Sequence, residues 1–158
     1  MNDQQTHQLG ALLLRVALGA VFISHSWYLK LVVFGLPGTA QFFASIGLPE
    51  SLAYVVFALE AAGGAALIAG AYARVAALVL VPVALGATWA HLGYGWLFTN
   101  QGGGWEYPLF LTVALVVQFL IGDGALAWRR SPRLARADGA DSAAARSARA
   151  SGTPVATQ

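Results

Sequence analysis

The sequence predicts an all-α fold: a polytopic membrane protein built as a four-transmembrane-helix bundle, with a short interfacial helix between spans 1 and 2. Hydrophobic residues make up 58% of the 158 residues and charged residues only 10%, whereas a soluble domain carries roughly 25% charged residues. The apolar residues gather in four segments, each about as long as a helix that crosses a bilayer. Glu60 lies in the middle of one segment, where a carboxylate is costly unless it is paired or enclosed.

The domain organisation follows from these segments. A polar N terminus, residues 1–8, precedes a membrane domain, residues 9–128, and a basic tail, residues 129–158, follows it. Because the tail combines Ala, Arg, Ser, Gly and Asp without periodicity, we expect it to be disordered. The four spans are predicted at residues 9–34, 51–72, 75–98 and 107–128.

The first span follows a polar N terminus and precedes a short amphipathic piece. The N terminus has no positive n-region, and the apolar stretch continues well past Arg15 without a small-residue cleavage site, which predicts a retained span and not a signal peptide. After this span, residues 39–46 place Phe42, Phe43 and Ile46 at helical spacing between two Gly/Pro-containing turns. We expect this piece to lie flat at the membrane interface.

Basic residues predict the orientation of the bundle. With four spans, both termini lie on the same side of the membrane. The tail and Arg74 place basic charge on that side. The two loops on the opposite side, residues 35–50 and 99–106, contain no Lys or Arg. The positive-inside rule then puts both termini in the cytoplasm, with the basic tail facing anionic lipid and not nucleic acid. Six of the nine basic residues lie in the last thirty: Arg129, Arg130, Arg133, Arg136, Arg146 and Arg149.

The second span also carries a stripe of small residues. Ala58, Ala62, Ala66 and Gly70 recur every four residues, and Gly63 and Gly64 widen this surface. Because small side chains let helix backbones approach closely in lipid, we expect the stripe to form a helix–helix interface. Association into a homo-oligomer is left open by the sequence.

Polar residues on three spans predict a buried polar layer near the midplane. At 1.5 Å per residue, His25 and Glu60 lie roughly 14 Å from the outer ends of their spans, which are the ends away from the cytoplasm. Gln118 lies about 16 Å from the outer end of its span. Lys30 lies nearer the outer surface on a stem that reaches either water or the layer, and His91 is also near the outer end. Two interpretations stay open: a hydrogen-bonded clasp between helices, or a pocket for a polar headgroup or a proton.

A second polar layer is predicted nearer the cytoplasm, where Arg15 and Asp123 reach similar depths and would form an ion pair between the first and last helices. The chain has no cysteine, which excludes disulfides, thiolate metal sites and dithiol chemistry on this chain. Two histidines on separate spans do not make a metal site. No catalytic triad, nucleotide-binding loop or nucleic-acid motif is present in the sequence.

These features, in this order, resemble the DoxX family of small bacterial membrane proteins over residues 12–126. The resemblance implies a four-helix protein of the bacterial cytoplasmic membrane. It also implies a link to quinone-dependent oxidoreductases, such as a thiosulfate:quinone oxidoreductase, or to partners of redox-stress proteins. It rests on the following pieces: Leu14-Arg-Val-Ala-Leu-Gly19, His25, Lys30, Phe42-Phe-Ala-Ser-Ile-Gly-Leu-Pro49, Glu60-Ala-Ala-Gly-Gly64, Arg74, Ala87 to His91, Gly104-Trp-Glu-Tyr-Pro108 and Gly122-Asp-Gly124.

Three functions are compatible with the sequence, and whether the protein is itself an enzyme stays open. The first is a subunit or accessory of a quinone-linked redox system, in which His25, Lys30 or Gln118 would donate hydrogen bonds to quinone carbonyls. The second is a non-enzymatic scaffold that binds a partner protein, and the third is a pathway for protons or small solutes. Since no cofactor motif is evident, an electron-transfer role requires a redox partner that carries the redox centre.

Overall fold

The computed structural model describes residues 2–132, and all regular structure within this range is helical. The chain forms α1 (Asp3–Ile23), a π-helix that continues it (Ser24–Val33), α2 (Gly35–Ser45), α3 (Glu50–Ala69), α4 (Ala73–His91) and α5 (Glu106–Ile121). A short 3₁₀ turn, Leu92–Tyr94, extends α4. Of the predicted tail, residues 133–158 lie outside the described residues.

Three helical stretches are long and apolar enough to cross a membrane: Asp3–Val33, Glu50–Ala69 and Ala73–Tyr94. The fourth predicted span is shorter than expected, because α5 ends at Ile121 and not near residue 128. Its 16 residues extend about 24 Å, less than the roughly 30 Å of a hydrocarbon core. Gly122 and Gly124 end the helix with φ angles of 97° and 72°, a region that residues with a Cβ rarely adopt.

The helices close into a ring. α1 packs on α3, α3 on α4, α4 on α5, and α5 returns to α1. The ends of α1, α3, α4 and α5 that lie near residues 122–132 are called the closing end, and the opposite ends, near α2 and residues 92–105, the loop end. The centre of the ring is filled by apolar side chains from all four helices, including Leu18, Phe22, Leu67, Leu80, Leu111 and Leu115.

α2 corresponds in sequence to the segment that is predicted as an interfacial helix. It packs on α3 and on the π-helix and buries Thr39 and Ala40, while Phe42 is exposed. One face of α2 is therefore committed to protein contacts. Its position at a membrane interface stays a prediction.

A close backbone contact joins α1 to α3 through glycines. A Cβ at Gly19 would lie 2.7 Å from the carbonyl oxygen of Gly64, and a Cβ at Gly64 would lie 3.0 Å from that of Gly19. The prediction of an alanine stripe is wrong for Ala58 and Ala62, which are exposed. Glycines and not alanines form this interface, because only a residue without a side chain permits backbone-to-backbone contact.

Residues 122–132, here the closing segment, cross the closing end without helical structure. The Tyr72 amide donates to the Arg129 carbonyl at 2.8 Å, and the Arg129 amide donates to the Gly70 carbonyl at 3.1 Å. The Ala125 amide donates to the carbonyl of Gln8 at 2.9 Å. The closing segment therefore ties the ends of α1, α3 and α4 together, using backbone groups that a longer α5 would have satisfied internally.

Candidate functional site

The last ten residues of the first long helix form a π-helix, Ser24–Val33. Its final hydrogen bond runs from the Phe34 amide to the Leu29 carbonyl, five residues back, at 2.9 Å. In an α-helix, residues five apart point about 140° away from each other, whereas i→i+5 bonding brings them to one side. The π-helix thus places His25 and Lys30 on neighbouring parts of one face. Such insertions are rare and recur at functional sites.

Three consecutive side chains explain why the helix widens here. The Ser24 hydroxyl donates to the Ala20 carbonyl at 2.9 Å, and the Ser26 hydroxyl donates to the carbonyls of Phe22 and Ile23 at 2.9 and 3.2 Å. The ring of His25 bonds the Val21 carbonyl at 2.9 Å. Side-chain donors that compete for carbonyls of the preceding turn loosen and bend a helix. The run Ser-His-Ser therefore favours the change from α to π geometry.

The centre of the site is an ion pair between the π-helix and α3. Lys30 Nζ donates to Glu60 Oε2 at 2.6 Å. The Glu60 side chain is 7% exposed and that of Lys30 17% exposed, so the carboxylate lies inside and the ammonium stands between it and the surface. Among residues 2–132 this is the single contact between oppositely charged side chains. Lys30 is also the only lysine of the whole chain.

His25 lies beside this pair without a direct hydrogen bond to it. The imidazole is within range of a charge interaction with Glu60, and it stacks on the ring of Tyr107 at 6.3 Å between centroids. Because a carbonyl can only accept, the bond to Val21 assigns the ring proton of neutral His25 to Nδ1. Nε2 then carries a lone pair and has no partner among the residues that the structure describes. It can accept a hydrogen bond or a proton.

Gln118 does not join the Glu60 layer. Its Nε2 donates to the Gly122 carbonyl at 2.7 Å, close to the closing end, and the side chain is fully buried. Its Oε1 has no partner within the described part of the chain. The depth predicted from the sequence was counted in residues from Tyr107. It could not include the early end of α5, after which the Gly122 carbonyl is free to accept from Gln118.

His91 is also separate from the ion pair. Its Nδ1 bonds the Ala87 carbonyl at 2.7 Å, and its ring meets Tyr94 edge to face at the loop end of α4. The hydrogen bond repeats that of His25, but no charged side chain contacts His91 in the range 2–132. This makes His91 a natural control for His25 in experiments.

The predicted ion pair between Arg15 and Asp123 is not formed, which corrects the sequence interpretation. Arg15 is 1% exposed, and its Nη1 donates to the carbonyls of Leu67 and Ile68 at 2.8 and 2.7 Å. Its Nη2 donates to the carbonyls of Ala125 and Leu126 at 2.9 and 3.2 Å. The fork of the guanidinium caps the C-terminal carbonyls of α3, where a cation is favoured by the helix dipole.

Asp123 has different partners, at the start of α4. Its Oδ1 accepts from the Arg74 amide at 3.4 Å and from the Ser131 hydroxyl at 2.7 Å, and its Oδ2 accepts from the Ser131 amide at 2.8 Å. Arg74 Nη1 donates to the Phe119 carbonyl at 3.0 Å. The Arg74 amide also donates to the Ser131 hydroxyl oxygen at 3.1 Å. Because an acid satisfies the free amides at a helix N-terminus, Asp123 caps α4 from the closing segment together with Ser131. This group is structural.

Two features of the site were missed in the sequence analysis. Tyr107 was not among the predicted site residues, and its stacking on His25 follows from the ring order of the helices, which the sequence does not reveal. The π-helix was also missed, although Ser24-His-Ser26 offers a signal: three adjacent side chains that can each bond a preceding carbonyl.

With this geometry established, the chain was compared with known proteins. The family model described as DoxX matches residues 10–93. This range contains Arg15, His25, Lys30, Glu60 and His91 and ends before α5. A protein of Bacillus subtilis (strain 168) named "Putative oxidoreductase CatD" is 39% identical over 84 residues, which are 52% of this chain and 60% of the relative. The chain therefore spans less than two thirds of the length of this relative. No solved structure matches the chain significantly.

The residues of the ion pair and of the glycine contact between α1 and α3 all fall inside the matched range. The three helices that are able to cross a membrane also have most of their length within it. Since the family model covers more than half of the sequence, the chain is a membrane protein of the DoxX family.

Proposed function

We propose that this protein is the membrane component of a quinone-linked redox system, in which a quinone headgroup binds beside Lys30, His25 and Tyr107. The observation that carries the proposal is the Lys30–Glu60 pair, with the ammonium on the accessible side and the carboxylate enclosed behind it. A charged pair at such a depth is a functional candidate by default. The relative named as an oxidoreductase gives independent support for redox chemistry.

The donors and acceptors at the site suit a quinone. One of the three N–H groups of Lys30 is directed at Glu60, which leaves two for a ligand oxygen. His25 Nε2 carries a lone pair that can accept from a hydroquinone hydroxyl, and the rings of His25 and Tyr107 offer flat surfaces for a planar headgroup. Glu60 neutralises the ammonium when no ligand is present. The isoprenoid tail would lie against the apolar outer face of the π-helix.

The electrons must come from elsewhere. Reduction of a quinone to a hydroquinone takes two electrons and two protons, one on each carbonyl oxygen. The chain has no cysteine, so a dithiol on this chain cannot supply the electrons. A redox partner protein that docks on the bundle and carries the redox centre would supply them. The role of this chain is to bind and orient the headgroup and to hold protons near it.

The single lysine permits a specific binding test. Purified protein in nanodiscs is treated with an amine-reactive reagent, with and without a short-chain quinone, and labelling of Lys30 is measured by mass spectrometry. We expect saturable protection of Lys30, lost in His25→Phe and retained in the matched variant His91→Phe. The N-terminal amine serves as the internal reference. Labelling of Lys30 that is unaffected by any concentration of quinone would contradict the proposal.

A non-enzymatic scaffold is the second candidate, favoured by one observation. Glu60 is 5% exposed and already bonded at 2.6 Å, as expected for a closed clasp that fixes α3 to the π-helix. A scaffold predicts that quinone leaves Lys30 labelling unchanged, while a partner protein is recovered with the wild type in mild detergent. The labelling experiment therefore separates the two functions.

We also propose that all four helices cross the bacterial cytoplasmic membrane, with the closing end in the cytoplasm. Arg74, Arg129 and Arg130 lie at the closing end, whereas the residues between α4 and α5 contain no Lys or Arg, which agrees with the positive-inside rule. The absence of cysteine allows a direct test. An impermeant maleimide should label Asn100→Cys in intact cells, and Gln4→Cys only after permeabilisation. Labelling of both positions, or neither, in intact cells would refute this topology.

A further inference from the structure

The closing segment carries an exposed amphipathic surface that plays no part in the proposed quinone site. Leu126 is 83% exposed and Trp128 75% exposed, and Trp128 is followed directly by Arg129 and Arg130, which are also exposed. The guanidinium of Arg129 lies over the ring of Trp128, 5.8 Å from its centroid. Two large apolar side chains and two cations therefore share one small surface.

The backbone under this surface is firmly held. Leu126 has φ 53°, a strained conformation for a residue with a branched side chain, and its carbonyl accepts from the buried Arg15. Arg129 pairs on both sides, with Gly70 and Tyr72. Strained conformations persist only where the surroundings fix them. The outward direction of Leu126 and Trp128 is thus part of the fold.

The side chains of this stretch alternate. Ala127 is half-buried, and a Cβ at Gly70 would lie 2.8 Å from its Cα, while Leu126 and Trp128 on either side are exposed. The Trp128 amide donates to the Ala69 carbonyl, the last residue of α3, at 3.3 Å. The surface therefore sits at the level where the apolar helices end, which in a membrane protein is the headgroup region.

We infer that Leu126, Trp128, Arg129 and Arg130 form a binding site for anionic phospholipid at the closing end. Trp and Leu enter the boundary between headgroups and acyl chains, where an amphipathic indole is favoured. The two guanidinium groups meet the lipid phosphate, for which their planar donor geometry is suited. Charge complementarity selects an anionic headgroup over a zwitterionic one. The site would anchor the closing segment, and through Arg15 the end of α3, to the membrane surface.

Quenching of Trp128 by brominated lipids tests this inference. The full chain is reconstituted in mixed bilayers that contain brominated phosphatidylglycerol or brominated phosphatidylcholine, and the Trp128 signal is obtained by subtraction of Trp128→Phe. We expect quenching by both lipids and a preference for the anionic one. Arg129→Gln/Arg130→Gln should lower that preference about tenfold, since each basic residue near the surface contributes a several-fold factor.

The matched control removes the same charge elsewhere. Arg146→Gln/Arg149→Gln should leave the preference unchanged, and an unchanged unfolding midpoint in SDS will show that both double variants are folded. Equal loss in both variants would mean diffuse attraction to net charge and would overturn the site. No quenching of Trp128 by either lipid would also overturn it, because the surface would then be covered by protein, such as residues 133–158 of this chain.

Discussion

Removal of the ammonium from the Lys30–Glu60 pair is the sharpest test of the site. In Lys30→Met the stem keeps nearly the same length and apolar character, but Glu60 loses the single hydrogen-bond partner it has in the structure. Loss of one member of a buried ion pair typically costs about 3–5 kcal/mol. Since the Lys30 side chain is 17% exposed and that of Glu60 7%, the site is incompletely dry. We therefore expect the lower end, about 3 kcal/mol.

The double variant Lys30→Met/Glu60→Leu separates the charge from the contact. It leaves no stranded carboxylate, and replacement of a whole buried pair by apolar side chains is often neutral or stabilising. We expect its free energy of unfolding to return to within about 1 kcal/mol of wild type. The assay is equilibrium unfolding by SDS in mixed micelles, with Leu31→Met as the control on an exposed position of the same π-helix.

The result that would refute this reasoning is additivity. If the two single changes add within about 0.5 kcal/mol, the side chains behave as independent sites, and the 2.6 Å contact contributes nothing to the fold. A stable Glu60→Leu protein with an equally stable Lys30→Met protein would have the same meaning. A large coupling that disappears when quinone analogue is added would instead show that the ligand replaces Glu60 at the ammonium.

Three further predictions concern the scaffold, each measured by the same SDS unfolding. Arg15→Met should cost about 3 kcal/mol or more, because four backbone carbonyls lose the charged donor of a fully buried side chain; a cost below about 1 kcal/mol would show that these carbonyls are hydrated. Gly19→Ala should cost about 1–3 kcal/mol through overpacking against α3, whereas the control Gly86→Ala, which meets open space, should be neutral or stabilising by up to about 1 kcal/mol; equal effects would contradict the close contact. Asp123→Ala should cost about 1–2 kcal/mol through the lost cap of α4, and an unchanged midpoint would show that Asp123 does not cap it.

The separate placement of the two polar groups has a functional consequence. The Lys30–Glu60 pair lies toward the loop end, while Arg15, Arg74, Asp123 and Gln118 are bound into the closing end. These four residues of the closing end therefore serve to end helices, where free backbone groups must be satisfied. The candidate ligand site is smaller than predicted, and it gains Tyr107.

Some features of this protein follow from composition and periodicity alone. The all-helical architecture and the positions of three long apolar helices were predicted correctly, since burial of an apolar chain in lipid requires helices of a fixed minimum length. Membership of the DoxX family was also predicted from the ordered motifs and confirmed. Helix boundaries were less accurate where a glycine ended a helix early, as at Gly122.

The partners of each polar side chain were decided only by the tertiary structure. Depth along a span says how far a residue lies from a helix end, but rotation about the helix axis decides which neighbour it meets. A change from α to π geometry at Ser24 alters that rotation and brings Lys30 to Glu60 beside His25. Likewise, Arg15 donates to carbonyls and not to Asp123, because the closing segment folds back over the end of α3 and adds two carbonyl acceptors to the two that α3 itself offers. The sequence determined which groups had to be buried, and the three-dimensional packing determined which of them meet.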